Sequence, residues 1–194
     1  RGGFSSKPSG KKELELEWCP FTAKMKHVFT ISNNSRSTTP IVLTRITYDG
    51  YTGYGEAAMP PYLGETTNSA IDYLKKARPV LKKFKDPFMI GAIMAEMDAI
   101  TTNNCAAKAS IDIALHDLVG QIFGQPWWKI WGFDPANCPY NSFTVGLASK
   151  EEVREKAKEA ASEGHLIKVK LGMSEEQDKM MINTIREVTD TTIC

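Results

Sequence analysis

Charged and apolar residues alternate along Glu13-Leu14-Glu15-Leu16-Glu17-Trp18, the period-two pattern of a half-buried strand. Further strands are predicted at residues 27–31 and 41–48, the latter rich in β-branched side chains. Asp49-Gly50 then marks a tight hairpin, with a return strand over residues 54–57. The polar stretch 32–40 reads as a loop, so the opening is an antiparallel meander. Helical spacing takes over at 67–84, where Pro79 is expected to kink or split the helix. A second helix is predicted over 87–100, with Met89, Met94 and Met97 as core filler. A third covers 106–123, where Ile111, Ala114, Leu115, Leu118, Val119 and Ile122 form one apolar stripe capped by Gly124. Residues 127–132, with three tryptophans, read as a short buried helical turn that anchors an inter-domain contact.

The period changes after Pro135. Strand 142–147, helix 150–162 with Ser149 and Glu152 as a capping box, strand 166–171, helix 174–188 and an incipient strand at 191–194 alternate with short loops. This is the signature of a parallel α/β unit such as a (β/α) barrel. The fold class is thus an α+β domain over residues 11–130 followed by the first part of a TIM-type barrel over 138–194. Eight strands and roughly 250 residues close such a barrel, so the chain is expected to stop within that domain.

Composition narrows the function classes. The chain has 194 residues, a formal net charge of +1, 42% hydrophobic and 24% charged residues. That balance suits a soluble globular protein and argues against nucleic acid as a partner, because phosphate binding needs a basic surface. No apolar run approaches the roughly 20 residues that cross a bilayer, so no membrane partner is expected. Cys19, Cys105, Cys138 and Cys194 lack the Cys-x-x-Cys spacing of a zinc or redox site and read as free, buried or half-buried thiols, with a disulfide left open. Residues 1–10, rich in Gly, Ser and Pro, are expected to form a disordered leader, either the tail of an export signal or an arbitrary start. The compartment, cytoplasm or periplasm, stays open.

Lys168 and Lys170 are the most informative chemical pair. Side chains two apart on a strand share a face. On one reading both lysines face solvent while Ile167, Val169 and Leu171 form the buried set. On the other they point into a barrel, where each disfavours the other's charged form and a neutral lysine can act as a general base. The pattern alone leaves both open.

The sequence is similar to the enolase superfamily, to its muconate-lactonizing subgroup and, within that, to the dipeptide epimerases. The resemblance rests on Ile46-Thr47-Tyr48-Asp49-Gly50 with Gly53-Tyr54-Gly55-Glu56-Ala57, on the helix from Ala107 through Ile111-Asp112 to His116-Asp117, on Gly124-Gln125-Pro126 with Trp131-Gly132, on Thr144-Val145, and on Ile167-Lys168-Val169-Lys170-Leu171-Gly172. It covers residues 13–194. It implies that residues 11–130 are a capping domain and that Lys170 is a catalytic acid/base. Lys168 is then the neighbour that lowers its pKa and faces the substrate carboxylate, and Thr144 contacts the dipeptide. The segment 21–38 would be a mobile loop closing over the site, with Lys26 on a glutamate side chain and Lys24 and Arg36 as competitors.

The implied reaction is epimerisation of the glutamate-type residue of a dipeptide such as L-Ala-D/L-Glu, by 1,1-proton transfer through an enediolate. Enolase-superfamily sites use a Lys or His base with one or two magnesium ions. Magnesium is therefore the implied cofactor, with its carboxylate ligands and the second lysine expected beyond Cys194; Glu56 and Asp112 read as structural polar residues. Alternatives are a muconate cycloisomerase or o-succinylbenzoate synthase relative, and a non-catalytic remnant of the capping domain. The expected partner is a small dipeptide; assembly into a homo-oligomer, common in the family, stays open.

Overall fold

A computed structural model describes residues 3–4, 7, 10–31, 34–60 and 63–194, with only the backbone given for 27–31 and 34–36. The chain divides into two compact units, Arg1–Lys24 with Thr38–Phe133, and Met25–Ser37 with Asp134–Cys194.

The three-stranded sheet has the order β1-β2-β3, with β1 at Glu15–Ile31, β2 at Asn34–Tyr48 and β3 at Tyr51–Ala58; its residues up to Lys24 and from Thr38 belong to the first unit, and the end of β1 and start of β2 to the second. The two strands expected at 13–18 and 27–31 are one continuous strand. Pro20 interrupts neither, because β1 is an edge strand and its missing N–H need not face a partner. The predicted loop 32–40 is strand from Asn34 onward; Ser32 and Asn33 lie outside the described residues. Backbone pairing needs no apolar pattern, which is why this polar run gave no strand signal. β2 and β3 pair antiparallel from Ile41↔Ala58 to Tyr48↔Tyr51. Asp49 and Gly50 both take positive φ, 48° and 83°, which matches the right-handed strand twist.

β3 points Gly53, Gly55 and Ala57 inward and Tyr54 and Glu56 outward. The inward glycines permit an unusually close approach to α3 (Cys105–Phe123): a Cβ on Gly55 would lie 1.9 Å from the Ser110 carbonyl oxygen, and one on Gly53 2.1 Å from that of Ala114. Ile111, Ala114, Leu115 and Leu118 are fully buried there, together with Leu74 and Leu81 of α1 (Thr67–Leu81) and Ile93 and Met97 of α2 (Ile90–Ile100). Tyr73 ties α1 to α2 by donating to the Met97 carbonyl at 2.8 Å, and burial pushes its phenol well up. Lys108, 9% exposed, is satisfied by Asp98 at 2.9 Å and the Thr101 carbonyl at 2.6 Å.

Several expectations need correction here. Pro79 does not split α1: it sits in the last turn, where its absent N–H forfeits one bond before the helix ends at Leu81. Among the methionines Met97 is core, whereas Met89 is 49% exposed and precedes α2. The turn α4 (Trp127–Ile130) is not buried, with Trp128 46% and Trp131 56% exposed. Only Trp127 finds a socket, donating to the His116 carbonyl at 2.6 Å. All four thiols are free, and only Cys19 is buried. The expected leader 1–10 falls mostly outside the described residues; Phe4, which is described, lies 5.9 Å from the Tyr54 ring and 4.6 Å from the Arg45 guanidinium.

In the second unit, β4 (Ser142–Val145) and β5 (Leu166–Val169) pair in parallel. Between them runs α5 (Lys150–Ser162), opened by the anticipated Ser149–Glu152 capping box, and after them α6 (Glu175–Arg186), capped by Ser174. Val145 and Ile167 pack on Val153, Ala157 and Ala160 of α5 and on Met181 and Ile185 of α6. The chain end continues the sheet in parallel: Ile167 bridges Ile193, and Val169 donates to the Cys194 carbonyl at 2.9 Å.

Candidate active site

The parallel register decides which side chains meet. Phe143 faces Ile167 and Val145 faces Val169, and this set turns toward the helices. The alternate set puts Thr144 directly beside Lys168 on the opposite face. Lys170, two residues on, shares the face of Lys168. Its backbone N–H still donates to the Val145 carbonyl at 3.0 Å, so it sits where β5 ends. Val145 and Ile167 are fully buried, Thr144 and Lys170 half-buried, and Lys168 exposed. A hydroxyl and two ammonium groups are thus gathered on the face that the helices leave uncovered. Among the described residues neither Lys168 nor Lys170 has an ion-pair partner. Such a face offers a carboxylate two lysine side chains and one hydroxyl as hydrogen-bond donors.

The turn that carries the chain away from Lys170 is also built. Gly172 has φ +110°, a conformation favouring glycine, and its N–H donates to both carboxylate oxygens of Asp178, at 3.0 and 3.1 Å. Gln177 reaches from the start of α6 to the Ala148 carbonyl at 3.2 Å, tying together the loops that follow the two strands. Neither contact was anticipated. The sequence signal for the first is a Gly just after Lys-x-Lys with a carboxylate one helical turn into the next element.

Lys26 is not brought to this face. It lies on β1, 74% exposed, and is paired with Glu159 of α5, the helix behind the sheet. The Glu159 carboxylate holds the Lys26 ammonium above the usual lysine range. The shallow groove lined by Lys26, Glu152, Glu155, Lys156 and Glu159 shares no residue with the lysine face. The mobile loop anticipated around Lys26 is strand on both sides of Ser32 and Asn33. Of its competitors, Lys24 is exposed on β1, and the side chain of Arg36 lies outside the described residues.

Both the strand–turn–strand opening and the parallel unit carrying the lysines find counterparts among known proteins. The chain belongs to the mandelate racemase / muconate lactonizing enzyme family, whose N-terminal domain matches residues 19–132. It is 48% identical over 181 residues to the L-Ala-D/L-Glu epimerase of Bacteroides thetaiotaomicron, which covers 93% of this chain and 46% of that protein. Among solved structures it is similar to the dipeptide epimerase of Enterococcus faecalis complexed with Mg and L-Leu-L-Tyr, with TM-score 0.83, 28% identity, and coverage of 93% of this chain and 52% of that one. It is likewise similar to a substrate-liganded complex of the Bacillus subtilis L-Ala-D/L-Glu epimerase, with TM-score 0.81 and 26% identity over 93% of this chain and 52% of that one. The chain therefore spans about half the length of the relatives it matches. No helix among the described residues is long and apolar enough to cross a membrane.

Proposed function

We propose that the complete protein is a dipeptide epimerase that inverts the α-carbon of a glutamate-type residue, with L-Ala-D/L-Glu as the leading substrate. The observation that carries this reading is the gathering of Thr144, Lys168 and Lys170 on the uncovered face of a parallel strand pair. The 48% identity to an L-Ala-D/L-Glu epimerase supports the choice of substrate.

Each residue then has a defined task. The Lys170 amine takes the α-proton: the C–H bond breaks, an N–H bond forms, and the electron pair moves into the neighbouring carboxylate to give an enediolate. The Lys168 ammonium faces that carboxylate and stabilises the charge that builds on its oxygens. Thr144 holds the dipeptide by hydrogen bonding. A second lysine, on a late barrel strand and in its protonated form, gives a proton to the opposite face of the carbon. Lys26 would meet the acidic side chain of the substrate only after leaving Glu159 and the helix behind the sheet.

Magnesium accompanies dipeptides in the Enterococcus relative. Among the described residues no three His, Cys, Asp or Glu side chains converge, so the described part of this chain does not itself form a cage for the ion. We place its carboxylate ligands beyond Cys194. The test is α-proton exchange by the complete protein in deuterated buffer with magnesium and L-Ala-L-Glu. The glutamate α-proton signal should disappear while L-Ala-D-Glu accumulates, and Lys170→Ala should slow the accumulation of L-Ala-D-Glu by about 10²- to 10⁴-fold, the range for general acid–base groups. Turnover of a non-peptide acid with no exchange on any dipeptide would instead favour the cycloisomerase or o-succinylbenzoate synthase reading.

A further inference from the structure

Lys170 stands at a junction. Up to Val169 the backbone is held by ladder bonds on both sides, to β4 and to the segment ending at Cys194. Lys170 keeps a single bond, to Val145. Beyond it the chain must leave the sheet, and it does so through Gly172, exposed, with positive φ and no described atom within 4 Å of where a Cβ would be. Nothing steric fixes that turn. One group does so electrostatically: both oxygens of Asp178 accept the Gly172 N–H.

The geometry of Asp178 is not that of a carboxylate merely complementing its helix. Glu175 and Glu176 already occupy the first turn of α6 beside it, and Ser174 accepts from Gln177 as the cap. Asp178, half-buried, turns instead to an amide six residues upstream and outside the helix. Its own position is set by the helix, through its N–H to the Ser174 carbonyl at 2.9 Å, and by the Gln177 link from the same turn to Ala148. A rigid element is thereby connected to the peptide next but one to Lys170.

We propose that Asp178 is a positioning residue for Lys170: by clamping the Gly172 amide it fixes the turn at the end of β5, and with it the direction from which the lysine amine meets the substrate α-carbon. This rests on the reading of Lys170 as the base for one face. Proton transfer tolerates little misplacement, and a shift of about 1 Å can cost about 10²-fold. Because only one of the two bases is positioned by Asp178, its loss must act on one epimer.

The experiment uses the complete protein, measuring solvent exchange of the α-proton separately from L-Ala-L-Glu and L-Ala-D-Glu in deuterated buffer with magnesium. Lys170→Ala marks the epimer that Lys170 deprotonates. Asp178→Ala should slow exchange of that same epimer by about 10- to 100-fold through kcat with KM little changed, and spare the other. Asp178→Asn, which keeps one acceptor oxygen, should recover part of the rate. If Asp178→Ala does not fold, the near-isosteric Asp178→Asn is read by the same criterion. Equal losses for both epimers, or none, overturn the positioning role while leaving Lys170 in place. Should Lys170→Ala itself show no epimer preference, the base assignment fails, and the role of Asp178 fails with it.

Discussion

The two units solve the problem of covering a sheet differently. In the first, an antiparallel β2–β3 ladder packs one face on α1, α2 and α3, and among the described residues eighteen buried side chains join one core. Antiparallel sheets tolerate a solvent-facing side, so this unit has what it needs. In the second, a parallel pair is covered on one face only, by seven buried residues centred on Val145, Ile167 and Ile185. Parallel sheets are normally covered on both faces, and the bare one here carries Thr144, Lys168 and Lys170. Stability and chemistry are thus assigned to different parts of the chain.

The sharpest way to break this comparison is to cut the chain after Phe133, which parts the two cores and leaves Met25–Ser37 with the first piece. Residues 10–133 made alone should unfold cooperatively by circular dichroism. Residues 134–194 made alone should bind a hydrophobic dye and show no cooperative transition, since a core this small rarely supplies more than about 3–5 kcal/mol. A sharp melt from the second piece would refute the contrast. A smaller effect is expected inside the first unit. Gly55→Val places a Cβ against the Ser110 carbonyl and should destabilise by at least about 1–3 kcal/mol, while Glu56→Val, one residue away and facing outward, should change stability by less than about 0.5 kcal/mol. Similar losses from both would mean that the close strand–helix approach is not rigid.

The smallest effect concerns surface charge in the second unit. Lys150 and Arg154 donate to Glu187 and hold its carboxyl below the usual value of 4.5. A lowered folded-state pKa contributes stability that is present above the unfolded value and lost as pH falls through the folded one. The melting temperature of the complete protein should therefore exceed that of Glu187→Gln slightly at neutral pH, and the gap should close as the pH is taken well below 4.5. A gap that persists in acid would show that packing, not charge, is responsible.

How much of this was legible in the sequence depended on how local the signal is. The Ser149–Glu152 box and Gly124 placed helix ends correctly, because caps are read within four residues. The parity of Lys168 and Lys170 placed both on one face, opposite Ile167, because strand alternation is also local. The matching box of Thr66 and Ser69 was missed, since Ser at its third position gives a weaker signal than Glu or Gln. The start of β2 was hidden for a different reason: a polar strand is held by backbone pairing, which leaves no mark on hydropathy. Asp178 and Lys26 were out of reach because their partners, Gly172 and Glu159, depend on where elements are placed in space.

The length of β1 and β2 has a consequence for handling the protein. β2 is paired with β3 only from Ile41 onward, so from Asn34 to Pro40 the described sheet has just two strands. Ribbon edges of this kind recruit strands from other molecules. The segment His27-Val28-Phe29-Thr30-Ile31 combines β-branched and aromatic residues with no acidic or basic side chain other than His27. Lys24 and Lys26 stand just before it in the sequence and Pro40 lies within β2, residue types that disfavour strand recruitment. Recruitment of a second molecule along this two-stranded stretch would show as association at high protein concentration and high salt, where the lysines are screened.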